Sequence, residues 1–241
     1  MIRWVIKRVL NAAGYSVRRK FTPIRTLGEF CSILERMRFH PGTVFDVGVA
    51  QGTPELYTYV SRSGALLVLV EPLEEFEGYM RELLRKHRGF VYLAAAGEVR
   101  GEVVLNLYSD LRKTSRYKKV DMNDRAIKTR KVRMIPLDDI LGEHELPGPY
   151  LLKIDVEGDE LSVLKGAKLI LTQTEVVIVE TSVSRRFEGG SEFADIVTFL
   201  RGEGFRLCDI VGAADGPEGL LMQLDLAFLR VDGMLAKKMS Q

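Results

Sequence analysis

From Thr43 onward, short aliphatic and β-branched runs alternate with longer stretches in which apolar and polar positions are mixed. Apolar runs of this kind fit strands buried on both faces, and the longer stretches fit crossover helices. The pattern therefore predicts an α/β domain built on a mainly parallel sheet. Five strands follow in order: Thr43 to Val47, Ala65 to Glu71, Phe90 to Ala95, Tyr150 to Val156 and Glu175 to Glu180. Phe205 to Ile210 and Asp225 to Arg230 form a terminal pair, and the turn region from Gly212 to Gly219 allows it to run antiparallel. The expectation is a seven-stranded, mostly parallel sheet with an antiparallel terminal strand.

About fifty residues separate strands three and four, more than one crossover helix needs. They include two extended runs, Glu102 to Tyr108 and Lys131 to Ile135, read as strands flanking an inserted loop. That loop carries Arg112-Lys113-Thr114-Ser115-Arg116-Tyr117-Lys118-Lys119, and its position makes it a candidate substrate lid. Residues 1–40 read as a basic helical extension to a domain spanning 41–241. Ile2, Val5, Ile6, Val9 and Leu10 share one helical face, while Arg3, Lys7 and Arg8 fall largely on another. Such a helix can lie on an anionic membrane surface, or it can pack against its own domain or a second subunit.

Composition narrows the class. A chain of 241 residues, 46% of them hydrophobic, can bury one sizeable core. The start of the chain interrupts its apolar residues with cations too early for a secretory signal, and no apolar run approaches the length of a membrane span. Cys31 and Cys208 lack metal-ligand or disulfide-framework spacing, which points to a reducing, cytoplasmic setting. Residues 1–40 hold nine Lys/Arg against two Glu, and residues 110–135 hold ten against three Asp, on an otherwise acidic body. Those basic segments could meet lipid headgroups, phosphorylated sugars or nucleic acid, or could simply be solvated; the reading includes no DNA partner and leaves the oligomeric state open.

Strand one runs into Asp46-Val47-Gly48-Val49-Ala50-Gln51-Gly52-Thr53, a glycine-bearing turn ahead of a helix. A nucleotide-type cofactor binds at this place in an open α/β sheet. The spacing is GxxxG rather than the GxGxxG of dinucleotide sites, and an aspartate precedes the first glycine. A carboxylate there would repel a pyrophosphate, whereas it suits the ammonium and sulfonium of S-adenosylmethionine. Strand two ends in Glu71-Pro72, near the offset at which an acid reaches ribose hydroxyls. The cofactor set is thus Asp46, Gly48, Gln51, Gly52, Glu71 and Pro72.

Strand four ends in the carboxylate burst Asp155-Val156-Glu157-Gly158-Asp159-Glu160, and strand five ends in Glu180. Methyl transfer from a sulfonium needs alignment and removal of a proton. None of the three histidines, His40, His87 and His144, falls at a predicted strand end, so a carboxylate is the candidate base. Asp155 is the first choice and Glu157 the second, with Lys153 placed to orient either one or to hold a substrate oxygen. The site is read without a metal. Asp155, Glu157 and Glu180 would be the oxygen ligands if Mg²⁺ were bound instead. Walker, HExxH and GxSxG motifs are absent, as is an Asn-Pro-Pro-Tyr run of the kind expected in amino-directed methyltransferases.

The chain resembles the FkbM family of methyltransferases. The likeness rests on Val44-Phe45-Asp46-Val47-Gly48 with Gly52, Glu71-Pro72, Thr114-Ser115 and Val132-Arg133-Met134-Ile135-Pro136-Leu137-Asp138. It continues through Leu152-Lys153-Ile154-Asp155-Val156-Glu157-Gly158 with Glu160, Val163-Leu164-Lys165-Gly166-Ala167 and Asp225-Leu226-Ala227-Phe228. The resemblance implies a Rossmann-like methyltransferase fold and S-adenosylmethionine-dependent O-methylation of a sugar, glycolipid or small natural product. It implies Asp46, Gly48 and Glu71 at the cofactor, and Asp155 and Glu157 at the reaction centre. Val49-Ala50-Gln51 departs from the family's usual Ala-Asn or Ala-His after the first glycine. Two other readings are an RNA 2′-hydroxyl methyltransferase, suggested by the basic segments, and a non-catalytic adenosyl-binding partner protein.

Overall fold

Each of the seven apolar runs forms a strand of one sheet in the computed structural model, which describes residues 24–121, 126–216 and 219–239. The strands are β1 (Thr43–Val47), β2 (Leu66–Val70), β3 (Gly89–Tyr92), β7 (Tyr150–Ile154), β8 (Thr174–Ser182), β9 (Phe205–Asp215) and β10 (Leu221–Arg230). Their spatial order is β3-β2-β1-β7-β8-β10-β9. Strand β10 runs antiparallel to both its neighbours, β8 and β9, while the other pairings are parallel. The last strand of the chain therefore lies inside the sheet rather than at its edge.

Period-2 alternation divides the core into two layers. Leu67 and Leu69 of β2 face one cluster, and Val68 and Val70 face the other. The first layer packs against helices α1 (Leu27–Arg36) and α2 (Pro54–Ser63) through Phe30, Leu34, Leu56 and Tyr59. Helices α4 (Glu160–Lys165), α5 (Lys168–Thr172) and α6 (Phe193–Gly202) cover the second layer through Leu164, Ile170 and Leu200. Between β2 and β3 lies helix α3 (Glu77–Leu84), and α7 (Met234–Met239) follows β10.

The boundary expected at residue 40 is not where the packing divides. Phe30, Cys31 and Leu34 of α1 are buried in the domain core, and Ile24 bridges to Ile210 on β9, so the domain takes in this part of the basic segment. The amphipathic stretch from Ile2 to Leu10 lies outside the described residues. Among those described, no helix is long and apolar enough to cross a membrane.

The long connection after β3 builds a second sheet of β4 (Ala95–Ala96), β5 (Gly101–Leu107) and β6 (Lys128–Ile135), ordered β4-β6-β5. Strands β5 and β6 pair antiparallel, and Leu105 and Leu107 pack with Leu73 into a small core of their own. The two extended runs thus form one ladder. Part of the sequence expected to end strand three, Ala95, belongs instead to this second sheet, paired with β6.

Candidate active site

The carboxyl ends of β1 and β7 meet at the point where strand order reverses, which is where open α/β sheets bind ligands. A cavity of about 500 Å³ opens there. Its wall takes Val47 to Pro54 from the β1 turn, Glu71 and Pro72 from the end of β2, and Asp155 to Glu157 from the end of β7. Insert residues 110–116 complete it. Of the residues expected from the sequence, Gly48, Gln51, Gly52, Glu71, Pro72, Lys153, Asp155 and Glu157 line this cavity together.

Asp46 does not line it. Residues 44 and 46 share one face of β1, directed at the layer under α1 and α2. There the Asp46 carboxylate, wholly buried, accepts from Tyr57 Oη of α2 at 2.6 Å and from Lys153 Nζ at 3.1 Å. Asp46 and Lys153 are register partners on adjacent strands, so the pair is set by the sheet itself. Burial alone would lower the Lys153 ammonium, but Asp46 and Asp155 outweigh it and hold it above its ordinary range. Lys153 also reaches Asp155 at 3.4 Å, and so connects the buried aspartate to the one at the cavity wall. Tyr57 carried no sequence signal beyond its place on the apolar face of a helix.

Packing within the protein itself requires glycine at two positions of the turn. Gly48 has φ +81, and a Cβ there would stand 1.8 Å from the Asp155 carbonyl oxygen. The turn after β1 and the segment after β7 therefore touch backbone to backbone, which fixes Asp155 beside the turn. At Gly52, φ +85, a Cβ would meet the Tyr79 hydroxyl.

Glu71 is buried and accepts backbone N–H groups from Ala50 and Leu73, both at 3.0 Å, which ties the end of β2 to the β1 turn. Desolvation pushes its carboxyl up to about 7 against those two hydrogen bonds. Burial also raises Glu160 to about 7 and Asp225 to about 6. Each of these acids keeps its proton in the folded chain at pH values where the unfolded chain has released it, the ordinary values being 4.5 and 3.8. Folding then takes up protons, and stability falls as pH rises through that window towards about 7. The ligand-free protein is expected to melt at a higher temperature near about pH 5.5 than near about pH 8, as scanning calorimetry would register. Equal or reversed melting points would mean that these carboxyls are ionised in the fold.

The acids beyond β7 differ in exposure. The Asp155 side chain is 37% exposed and pairs with Lys153. Glu157, in the left-handed region at φ +56, accepts at Oε2 from Arg186 Nη2 at 2.8 Å. Glu180 accepts at Oε1 from Arg186 Nη1 at 2.9 Å and at Oε2 from the Gln223 amide. Arg186, on the loop after β8, escaped the sequence reading because nothing in its local pattern marks it. Among the described residues no group of three or more His, Cys, Asp or Glu is arranged to hold a metal ion. Glu157 and Glu180, the two acids offered for Mg²⁺ with Asp155, are each engaged with Arg186.

The insert is fastened over these strand ends. Ser115 Oγ donates to the Glu157 carbonyl at 2.6 Å, and Arg116 and the Tyr117 hydroxyl both reach Asp159. Val120 N donates to the Arg186 carbonyl at 2.9 Å and Glu188 N to the Lys118 carbonyl at 2.8 Å. The Thr114 hydroxyl is buried at the cavity wall without a hydrogen-bond partner among the described residues.

A family model described as the methyltransferase FkbM domain matches residues 46–207. No curated protein matches the sequence. Solved structures similar to this one include magnesium protoporphyrin IX methyltransferase from Synechocystis PCC 6803 with bound SAM, at 14% identity and a TM-score of 0.46, covering 94% of this chain and 96% of that one. A TehB-like SAM-dependent methyltransferase from Corynebacterium glutamicum is 14% identical with a TM-score of 0.39, covering 95% and 94%. A 1,6-didemethyltoxoflavin-N1-methyltransferase from Burkholderia thailandensis is 12% identical with a TM-score of 0.42, covering 84% and 76%.

Proposed function

Because the chain belongs to the FkbM methyltransferase family, we propose that it moves the methyl group of S-adenosylmethionine to a hydroxyl of a sugar, glycolipid or small natural product. The observation that carries this reading is the distribution of acids along one cavity. Glu71 stands at the β2 end, and Asp155 at the β7 end.

The part of the wall contributed by residues 70–105 is apolar apart from Glu71, with Phe76, Ala95, Ala96, Val103 and Leu105. That composition suits a flat base, and the lone pairs left on Glu71 suit the two ribose hydroxyls. The unpartnered Thr114 hydroxyl offers a further hydrogen bond to a bound ligand. The acids of β7 and β8 suit a cationic centre. The donor and acceptor set therefore fits S-adenosylmethionine, which would supply a methyl already activated on its sulfonium.

With a donor of that kind the protein must align the acceptor and take its proton. Asp155 is the carboxylate for that step: it lines the cavity, is partly exposed and is held by Lys153. A hydroxyl hydrogen-bonded to Asp155 would give up its proton there as the new carbon–oxygen bond forms. Lys153 acts from behind, keeping Asp155 aimed. Asp46 acts one step further back, by fixing Lys153.

Titration calorimetry with S-adenosylhomocysteine tests the cofactor half of the reading, and methylation of a panel of p-nitrophenyl glycosides followed by mass spectrometry tests the acceptor half. The expected result is saturable binding and a product heavier by one methylene. Binding without turnover on any hydroxyl acceptor would favour an adenosyl-binding partner protein, and absence of binding would overturn the proposal.

A further inference from the structure

Three carboxylates stand at the ends of β7 and β8, and they are not equivalent. The side chains of Glu157 and Glu180 are 14% and 9% exposed, against 37% for Asp155. One guanidinium accounts for the difference. Arg186 is itself only 13% exposed and spends one terminal nitrogen on each glutamate, at 2.8 and 2.9 Å. A guanidinium fork sets two carboxylates at fixed positions in one plane, a geometry that an ammonium point charge does not impose.

The backbone that carries Arg186 is in turn paired to the insert. Val120 N and the Lys118 carbonyl bond to the backbone of residues 186 and 188, and Lys119 bridges to Phe187. Ser115 holds the Glu157 carbonyl from the same segment. Glu157 itself sits in a left-handed conformation that is unfavourable for a residue other than glycine, so it needs such anchors to stay there.

We propose that Arg186 is a positioning residue, presented by the docked insert, which holds the carboxylates of Glu157 and Glu180 in ion pairs at the cavity wall and leaves Asp155 to meet the acceptor. This rests on the reading of Asp155 as the proton acceptor. It makes the insert more than a cover, because undocking it would release the loop that carries Arg186 and free the two glutamate carboxylates at the wall.

The charges around the pair define the test. Glu157 faces Arg186 from the loop after β8, Lys119 from the insert and Asp155 from its own segment. Glu180 faces Arg186, Asp155, Glu157, Glu160 of α4 and the Gln223 amide of β10. Burial raises both glutamates, and Arg186 opposes the rise. Removing the guanidinium should therefore move them further up by about one pH unit or more, the scale of a lost opposite charge at this distance.

The experiment is a pH titration of side-chain carboxyl signals by NMR on the full chain labelled with ¹³C-glutamate. Wild type, Arg186→Gln and Arg186→Lys are compared, with S-adenosylhomocysteine calorimetry on each. In Arg186→Gln two glutamate carboxyls should titrate about one unit or more higher than in wild type. Arg186→Lys should shift them by less than Arg186→Gln but not return them to wild type, since the ammonium keeps the charge and loses the planar fork. A third variant, Arg116→Gln, loosens the insert and should shift the same two signals in the same direction. Unmoved signals in Arg186→Lys and Arg116→Gln overturn the proposal, whether or not Arg186→Gln folds. Failure of wild type to bind S-adenosylhomocysteine overturns the functional reading instead, so the two failures are told apart.

Discussion

Asp155→Asn is expected to slow methyl transfer by about 100- to 10,000-fold, the usual contribution of a positioned general base, while S-adenosylhomocysteine binds as in wild type. The substitution keeps the size of the side chain and removes its charge, so Gly48 and the segment after β7 keep their contact. The homocysteine analogue carries a neutral thioether and should not sense the missing carboxylate. The comparison is single-turnover rate against calorimetric affinity, using an acceptor that turns over in the glycoside panel. A rate unchanged in Asp155→Asn would move the proton elsewhere, and a parallel loss of binding would make Asp155 a cofactor contact.

Lys153→Met is expected to destabilise the fold by about 3–5 kcal/mol, because it leaves the Asp46 carboxylate buried without its cation. For a chain of this length that corresponds to a fall of roughly 6–20 °C in melting temperature. Adding Asp46→Asn should recover most of the loss, since the amide oxygen still accepts from Tyr57 and no buried charge remains. Thermal melts of the two single variants and the double variant check this. A single variant as stable as wild type would show that the pair contributes nothing to the fold. The double variant, stable but slow, would separate the role of Lys153 in holding Asp155 from its role in the core.

The sheet was legible in the sequence because its strands are nearly continuous apolar runs, and burial on both faces writes such runs directly. The antiparallel terminal strand was legible too, although its insertion between β8 and β9 was not. Strand order depends on which edges meet, and no local pattern records that. In the site, Glu71, Asp155 and Glu157 could be read as residues at the ends of strands, where the fold class puts its ligands. Asp46 was read as facing the ligand from its nearness to the glycine turn. Period-2 alternation from Val44 was the available signal that its side chain faces the helical layer instead. Tyr57 and Arg186 could not have been found that way, since Tyr57 meets Asp46 from the following helix and Arg186 meets Glu157 from a loop after another strand, pairings that no local pattern records.

The base of the second sheet is part of the main core through Ala96 and Ile135, whereas the loop from 115 to 120 is held by hydrogen bonds to the segments after β7 and β8. Change in that loop can leave the Asp46–Lys153 pair and the β1 turn untouched, so the rim of the cavity can drift without eroding the core beneath it.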